Sequence, residues 1–375
     1  MNVILECDSL IQLLLGLQVV NTKFDNCTID LLMYNSMPNS KQLIKRLKNS
    51  GLFRNCFLVE NELAIGAKKL SFFGKIRKFF AWQKMLFFPN LFTKKIIPNL
   101  GVYDYFVYCA NGIFIDGLFN YCYRRNRNIK SFRYEGSLSS YLKLDENKRG
   151  KRREQFETLV KKIFHKQDLW SFPKKYFFLF PELVMYSIPG EVDSFPNLRD
   201  MSQPLKEKLF QIFDLSESDC VPYEKKFIGF EDGNLFYQND NSEVSLFKNT
   251  NKIVGSDNLF VRLHPRRKEN RFIQFGIDSS ISKQPWEIIL LKKSMDKKVF
   301  ISFGSGSIYT SLVYFNSDSA GIYLFKCLNY EIPLFSGAFY SFLLKIKAKY
   351  NLKIYTPQTY LEYENLLKKY IIKKD

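Results

Sequence analysis

The chain has 375 residues and a mass of 44.3 kDa, enough for one large domain or two of medium size, since single cores stop growing at about 250–300 residues. Hydrophobic residues make up 46% and aromatics 17%, with 37 Phe and 22 Tyr, which excludes a globally disordered chain. Lys and Arg number 56 against 37 Asp and Glu, a net charge of +19, and that excess asks for an anionic partner: nucleic acid, an acidic membrane surface or a phosphorylated substrate.

The opening residues MNVILECDSLIQLLLGLQVV have no basic residue ahead of their apolar run and hold Glu6 and Asp8 within it, so they read as folded chain rather than as a signal peptide. Val3-Ile4-Leu5 predicts a strand, Asp8-Ser9 a helix cap and 10–20 the helix that follows. A strand at 29–34 and a helix at 40–49 complete a β-α-β-α opening. Further strands are predicted at 56–59, 105–110, 131–134, 226–229, 259–263, 299–303 and 321–325, with helical patterns between several of them, as an α/β fold requires. Three prolines, Pro189, Pro196 and Pro204, mark a boundary, giving α/β halves of 1–200 and 201–375. Tyr360, Leu361, Tyr363, Leu366, Leu367 and Tyr370 recur at helical spacing and predict a terminal helix over 358–372.

Between 63 and 103 there is no acidic residue, while Lys68, Lys69, Lys75, Arg77, Lys78, Lys84, Lys94 and Lys95 interleave with Phe72, Phe73, Phe79, Phe80, Trp82, Phe87, Phe88 and Phe92. A helix of this kind can lie in a membrane interface, can turn an aromatic stripe into the core, or can face nucleic acid. No stretch reaches the roughly 18 apolar residues of a membrane span. Seven cysteines, odd in number and without a C-x-x-C pair, suggest neither a disulfide framework nor a zinc cluster, so a reducing compartment is expected.

The chemistry-bearing residues fall into three groups. Of the two histidines, His165 sits in a basic helical stretch and reads as surface, whereas His264 follows the strand Leu259-Phe260-Val261-Arg262-Leu263 and is fixed by Pro265 before Arg266-Arg267-Lys268. A His at the carboxyl end of a strand in an open α/β sheet lies where such folds bind ligands, and neighbouring cations suit a phosphate; a strand end capped by a turn is the plain reading. Tyr134-Glu135-Gly136-Ser137 ends a strand at an acid before a tight turn, presenting Glu135 as a general base or as a capping carboxylate. Phe303-Gly304-Ser305-Gly306-Ser307-Ile308-Tyr309-Thr310-Ser311 offers hydroxyls and helix-start amides to an anion, though it fits neither G-x-G-x-x-G nor the P-loop pattern.

In this order, with Cys7-Asp8-Ser9-Leu10 at the start and Pro285-Trp286-Glu287 late in the chain, the groups resemble the bacterial sialyltransferases of GT-B fold, nearest to glycosyltransferase family 52, the lipooligosaccharide and capsule sialyltransferases; Arg262-Leu263-His264-Pro265-Arg266 is the most specific part. The resemblance implies two Rossmann-like domains facing a central cleft with a C-terminal helix. The acceptor would be held by 1–200 and the CMP-sugar donor by 201–375. It implies inverting, metal-independent transfer from CMP-N-acetylneuraminic acid to a sugar hydroxyl, terminal galactose being the expected acceptor. His264 would then assist departure of CMP, with Pro265, Arg266, Ser305, Ser307, Thr310 and Ser311 binding the donor and Arg262 and Arg267 attracting it. Glu135 would be the base. Glu231-Asp232-Gly233 fits the family's paired-acid-then-glycine motif literally and makes Asp232 the alternate. No metal or cofactor is expected. The expected partners are the CMP-sugar, a lipid-linked glycan and the anionic inner face of the plasma membrane, with a homodimer possible and nucleic acid excluded; another nucleotide sugar, or a basic nucleic-acid-binding protein, is the alternative.

Overall fold

The computed structural model describes residues 1–24, 26–35, 39–59, 72–110, 113–142, 158–159, 162–163, 166–167, 169, 172, 175–232, 240–265, 267, 269–327 and 337–372. His165, Gly233, Arg266 and 60–71 of the basic aromatic segment lie outside the described residues. Two compact units divide the chain, Met1–Pro196 and Asn197–Asp375.

The first unit is built on a parallel sheet of seven strands: β1 (Asn2–Cys7), β2 (Thr28–Tyr34), β3 (Asn55–Val59), β4 (Tyr105–Tyr108), β5 (Lys130–Tyr134), β6 (Lys175–Phe178) and β7 (Glu191–Ser194). Their order is β3-β2-β1-β4-β5-β6-β7. Since β1 pairs with β2 on one side and β4 on the other, the order reverses at β1, the switch point at which open α/β sheets hold ligands. Helix α1 (Leu10–Lys23) starts where Ser9 Oγ accepts from the Gln12 amide, and α2 (Ser40–Asn49) connects β2 to β3. Strands buried on both faces read as continuous apolar runs, which is why β1 and β2 were legible. Phe24 and the rings of Tyr105, Phe132 and Phe177 pack tilted, edge-on or stacked, with centroids 5.0–6.2 Å apart.

Helices α3 (Phe72–Phe87) and α4 (Pro89–Ile96) precede β4, and α5 (Ile113–Arg125) follows it. Both α3 and α4 pack on α5, α3 through the buried Ala81 and Met85, whose side chain closes over Gly117. Three of the α3 aromatics, Phe73, Phe79 and Phe80, are exposed rather than turned into the core.

The second unit repeats the plan with six parallel strands: β8 (Phe227–Phe230), β9 (Leu259–Arg262), β10 (Ser279–Ser280), β11 (Val299–Ser302), β12 (Ala320–Tyr323) and β13 (Lys353–Tyr355), ordered β10-β9-β8-β11-β12-β13. Its helices are α6 (Gln203–Phe213), α7 (Asp240–Val254), α8 (Trp286–Lys292), α9 (Gly306–Tyr309), α10 (Gly337–Tyr350) and α11 (Tyr360–Ile372). The terminal α11 buries Tyr363 and Leu367 against α7, where the Tyr363 and Thr250 hydroxyls meet at 2.6 Å. Four strands, β6, β7, β10 and β13, were not predicted. Three of them are sheet edges, too short or too polar to show an apolar run: Glu191–Ser194, Ser279–Ser280 and Lys353–Tyr355. All seven cysteines are free thiols. Among the described residues no helix is long and apolar enough to cross a membrane.

Candidate active site

The carboxyl end of the second sheet gathers most of the predicted site residues. Register pairs Phe230 at the end of β8 with Arg262 at the end of β9, so Asp232 and His264 each stand two residues past the last paired position on neighbouring strands. On the other side of β8 lies β11, and its end at Ser302 leads into the hydroxyl-rich turn. Two strand spacings, roughly 10 Å, thus separate the His264 turn from the Ser305 turn.

Glu231 holds the histidine turn in place. It is 0% exposed at its side chain, and the His264 amide donates to its Oε2 (3.0 Å). Its Oε1 receives Arg271 (2.7 Å) and lies 2.9 Å from Arg267 Nε. Arg271 also bonds Glu243 Oε2 (2.9 Å), and the Asp232 amide donates to Glu243 Oε1 (2.7 Å). Burial, with Glu231 and Asp232 nearby, pushes the Glu243 carboxyl up to about 8 despite Arg271. Arg267, expected to draw the donor, points into this network. His264 is half-buried and Pro265 exposed, and the Arg267 amide closes the turn on the His264 carbonyl (2.9 Å).

Arg262 runs elsewhere too. Its guanidinium donates to the Tyr223 hydroxyl and the Gln284 carbonyl, and it sits 5.7 Å from the ring centroids of both Tyr223 and Trp286. That buried arrangement is structural. Its charge also opposes the upward push that burial gives the Glu287 carboxyl.

In the hydroxyl turn, Ser305 caps α9: its Oγ accepts from the Ser307 amide (3.2 Å) and donates to Ser307 Oγ (3.1 Å), while its own amide reaches Ser302 Oγ (3.0 Å). Both Ser305 and Ser307 are half-buried and Gly306 between them is exposed. Thr310 and Ser311 turn their hydroxyls back onto the carbonyls of Gly306 (3.1 Å) and Ser307 (2.8 Å), the pattern by which Ser and Thr bend a helix. Here the helix passes into a π turn over Thr310–Tyr314, a form that recurs at functional sites. Trp286 Nε1 donates to Ser311 Oγ (3.0 Å) and lies near the Ser307 carbonyl (3.2 Å). One indole therefore joins the Pro285-Trp286-Glu287 element, the hydroxyl turn and Arg262. Sequence reasoning missed this role, and the roles of Glu231, Glu243 and Arg271, because each depends on partners more than 20 residues away.

The remaining candidate stands in the first unit. Glu135 follows β5 and is 0% exposed; its Oε2 accepts from the Tyr141 hydroxyl and from the Leu179 amide (2.9 Å). The switch point of that sheet holds a different acid, Glu6 on β1, whose Oε2 accepts from the amides of Cys109 (3.0 Å) and Ala110 (3.2 Å). Burial pushes this carboxyl up to about 7, with the two amides opposing, and the adjacent Cys109 thiol is pushed up by burial and by Glu6.

No protein-family model matches the chain. No curated protein matches it either. Among solved structures it is similar to an α/β-galactoside α-2,3-sialyltransferase of the luminous marine bacterium Photobacterium phosphoreum, at 11% identity and a TM-score of 0.54 over 95% of this chain and 98% of that one. A UDP-GlcNAc 2-epimerase of Neisseria meningitidis bound to UDP-GlcNAc gives 10% and 0.52 over 100% and 95%. Arabidopsis thaliana UGT89C1 gives 12% and 0.55 over 100% and 90%. At such identities the likeness shows the fold: an α/β chain of two Rossmann-like parallel sheets, the GT-B type.

Proposed function

We propose that the chain is a glycosyltransferase that moves sialic acid, with inversion, from CMP-N-acetylneuraminic acid to a sugar hydroxyl of a bacterial surface glycan, terminal galactose being the first acceptor to test. The observation that carries this reading is the convergence of the His264 turn and the Ser305 turn at one sheet end, on either side of β8. In this reading the acceptor oxygen bonds to the anomeric carbon as the bond from that carbon to the CMP phosphate oxygen breaks, and CMP leaves. His264 donates to the departing phosphate. Ser305, Ser307 and Pro265-Arg266 meet the donor directly, while Thr310 and Ser311 keep the shape of the turn through their bonds to Gly306 and Ser307. Charge stabilisation by such groups requires no metal, so transfer is expected to persist in EDTA.

The base that takes the acceptor's proton is one of two carboxylates. Support for Glu135 is its place at a strand end before Gly136 and Ser137; support for Asp232 is its register beside His264. A lipid-linked acceptor would bring the enzyme to the cytoplasmic face of the plasma membrane as a peripheral protein. A UDP-sugar is the second reading, favoured by the likeness to the UDP-GlcNAc-bound epimerase.

Purified protein in EDTA, offered CMP-N-acetylneuraminic acid, UDP-sugars and GDP-sugars, tests this. Cleavage of the CMP-sugar alone is expected, with His264→Ala lowering it by about 10²–10³-fold, the usual cost of removing a group that meets transition-state charge. Asp232→Asn and Glu135→Gln, compared for transfer with retained donor binding, identify the base. Turnover of another nucleotide sugar overturns the donor assignment, and unimpaired turnover by His264→Ala overturns the site.

A further inference from the structure

The outward face of α3 and α4 is built the wrong way round for a helix pair on a water-soluble surface. Positions 73, 76, 77, 80 and 84 share one side of α3, at intervals of three and four residues, and there the chain shows Phe73 (74% exposed), Ile76 (39%) and Phe80 (54%) with exposed Arg77 and Lys84. Phe79 (53%) borders this side with its ring 5.9 Å from that of Phe80, and Phe88 (60%) follows at the end of the helix. On α4, Leu91 (72%) stands between Lys94 and Lys95, both exposed, while Thr93 is turned inward. The flank of α3 next to this side is buried at Ala81 and Met85, which pack on the core beneath. Single exposed apolar residues are ordinary; six on two consecutive helices and the residue that joins them, interleaved with cations, form a patch of the kind that marks a binding surface.

We infer that this face seats on an anionic lipid surface, its rings and aliphatic chains entering the acyl boundary and its cations meeting headgroup phosphates. Charge selects this occupant. From 63 to 103 the sequence has no acidic residue, so a second copy of the chain would bring like charges together. Nucleic acid would satisfy the cations and stack on the rings but would leave Ile76 and Leu91 in water, whereas a bilayer interface takes every one of these side chains. The inference stands apart from the proposed transfer, since vesicle binding is read without donor or acceptor.

The test is co-sedimentation of the full chain with vesicles of phosphatidylglycerol and phosphatidylcholine, and with phosphatidylcholine alone. Wild type is expected to bind the anionic vesicles and release them at high salt. The triple variant Phe73→Ser, Phe80→Ser, Leu91→Ser should bind at least about a hundredfold more weakly, since each large apolar group contributes about tenfold or more, with an unchanged thermal melt because the three groups are already exposed. Arg77→Gln, Lys84→Gln, Lys94→Gln and Lys95→Gln together should weaken binding and flatten its salt dependence. Leu361→Ser, on α11 and 66% exposed, should change nothing. Absence of wild-type binding, equal binding by the apolar variant, or conversion of a dimer to a monomer by that variant without vesicle binding overturns the inference.

Discussion

The two sheets share a strand order and differ in how each treats the acid at its switch point. In the first, Glu6 reaches from β1 to the end of β4 and is held by neutral amides of Cys109 and Ala110. In the second, Glu231 reaches the opposite way, from the end of β8 to the His264 turn after β9, and is held by Arg267 and Arg271 as well as an amide. Burial disfavours a charged carboxylate, and only a nearby cation or several hydrogen bonds offset that cost. Glu6 therefore favours the proton while Glu231 is built into an ionic network. The same topology thus yields an acid held by backbone amides in one unit and an acid held by two arginines in the other, and the second is the one beside the proposed donor turns.

The largest effect should come from the anchor. Glu231→Ala leaves two guanidinium groups to share Glu243. Breaking a buried pair costs about 3–5 kcal/mol, and because Arg267 and Arg271 keep 25% and 20% side-chain exposure, the lower end, about 3 kcal/mol, is expected in urea unfolding. A loss below about 1 kcal/mol would mean that the network stabilises nothing and that the His264 turn is held by other contacts.

Glu6 predicts a pH dependence. Its carboxyl ionises near 4.5 in the unfolded chain and at about 7 in the folded one, so the folded state binds the extra proton between those values. Below 4.5 both states are protonated and nothing is lost; as pH rises through 7 the folded chain must bury a charge, at about 3 kcal/mol in full. Glu6→Gln removes this contribution, so its stability should fall less than that of wild type between pH 5 and pH 8. Comparing the two proteins isolates Glu6 from Glu243, which titrates in the same direction. Parallel pH profiles would show that Glu6 is ionised in the folded chain and that the contrast between the sheets is one of geometry alone.

Central strands and the hydroxyl turn were legible because they are local: 299–301 is a continuous apolar run, and Ser305 caps the helix that begins at the next residue. The His264 turn was visible as a strand followed by His-Pro. What holds it was not, because Glu243 and Arg271 meet across 28 residues and Glu231 and Arg271 across 40, and an acid on a polar helix carries no sign of such a partner. Glu6 was visible as an acid within an apolar run, yet nothing local announces that two amides more than 100 residues away will receive it. The basic aromatic segment was ambiguous for a related reason: periodicity shows that a helix has two faces, and packing on α5 decides which one is buried.

The smallest effects concern how tightly a helix lies on each sheet, and they test whether the two acids owe their settings to that packing. A Cβ at Gly321 on β12 would stand 2.5 Å from Ile308 Cγ2 and 2.9 Å from Leu312 Cδ1. A Cβ at Gly16 on α1 would stand 2.7 Å from Leu5 Cδ1 and 3.1 Å from the Tyr134 hydroxyl, which donates to the Glu6 carbonyl. Overpacking of this kind costs about 1–3 kcal/mol. The Ile308 methyl is fixed by its branch point, so Gly321→Ala should lie toward the upper end and displace the start of α9, weakening donor binding. Leu5 can swing its terminal methyl aside, so Gly16→Ala should cost less, and its signature should instead be a shift in the Glu6 pH profile as Tyr134 moves. A larger loss from Gly16→Ala than from Gly321→Ala would make the first sheet the more rigidly packed of the two, and the raised Glu6 ionisation would then be a product of packing rather than of its missing cation.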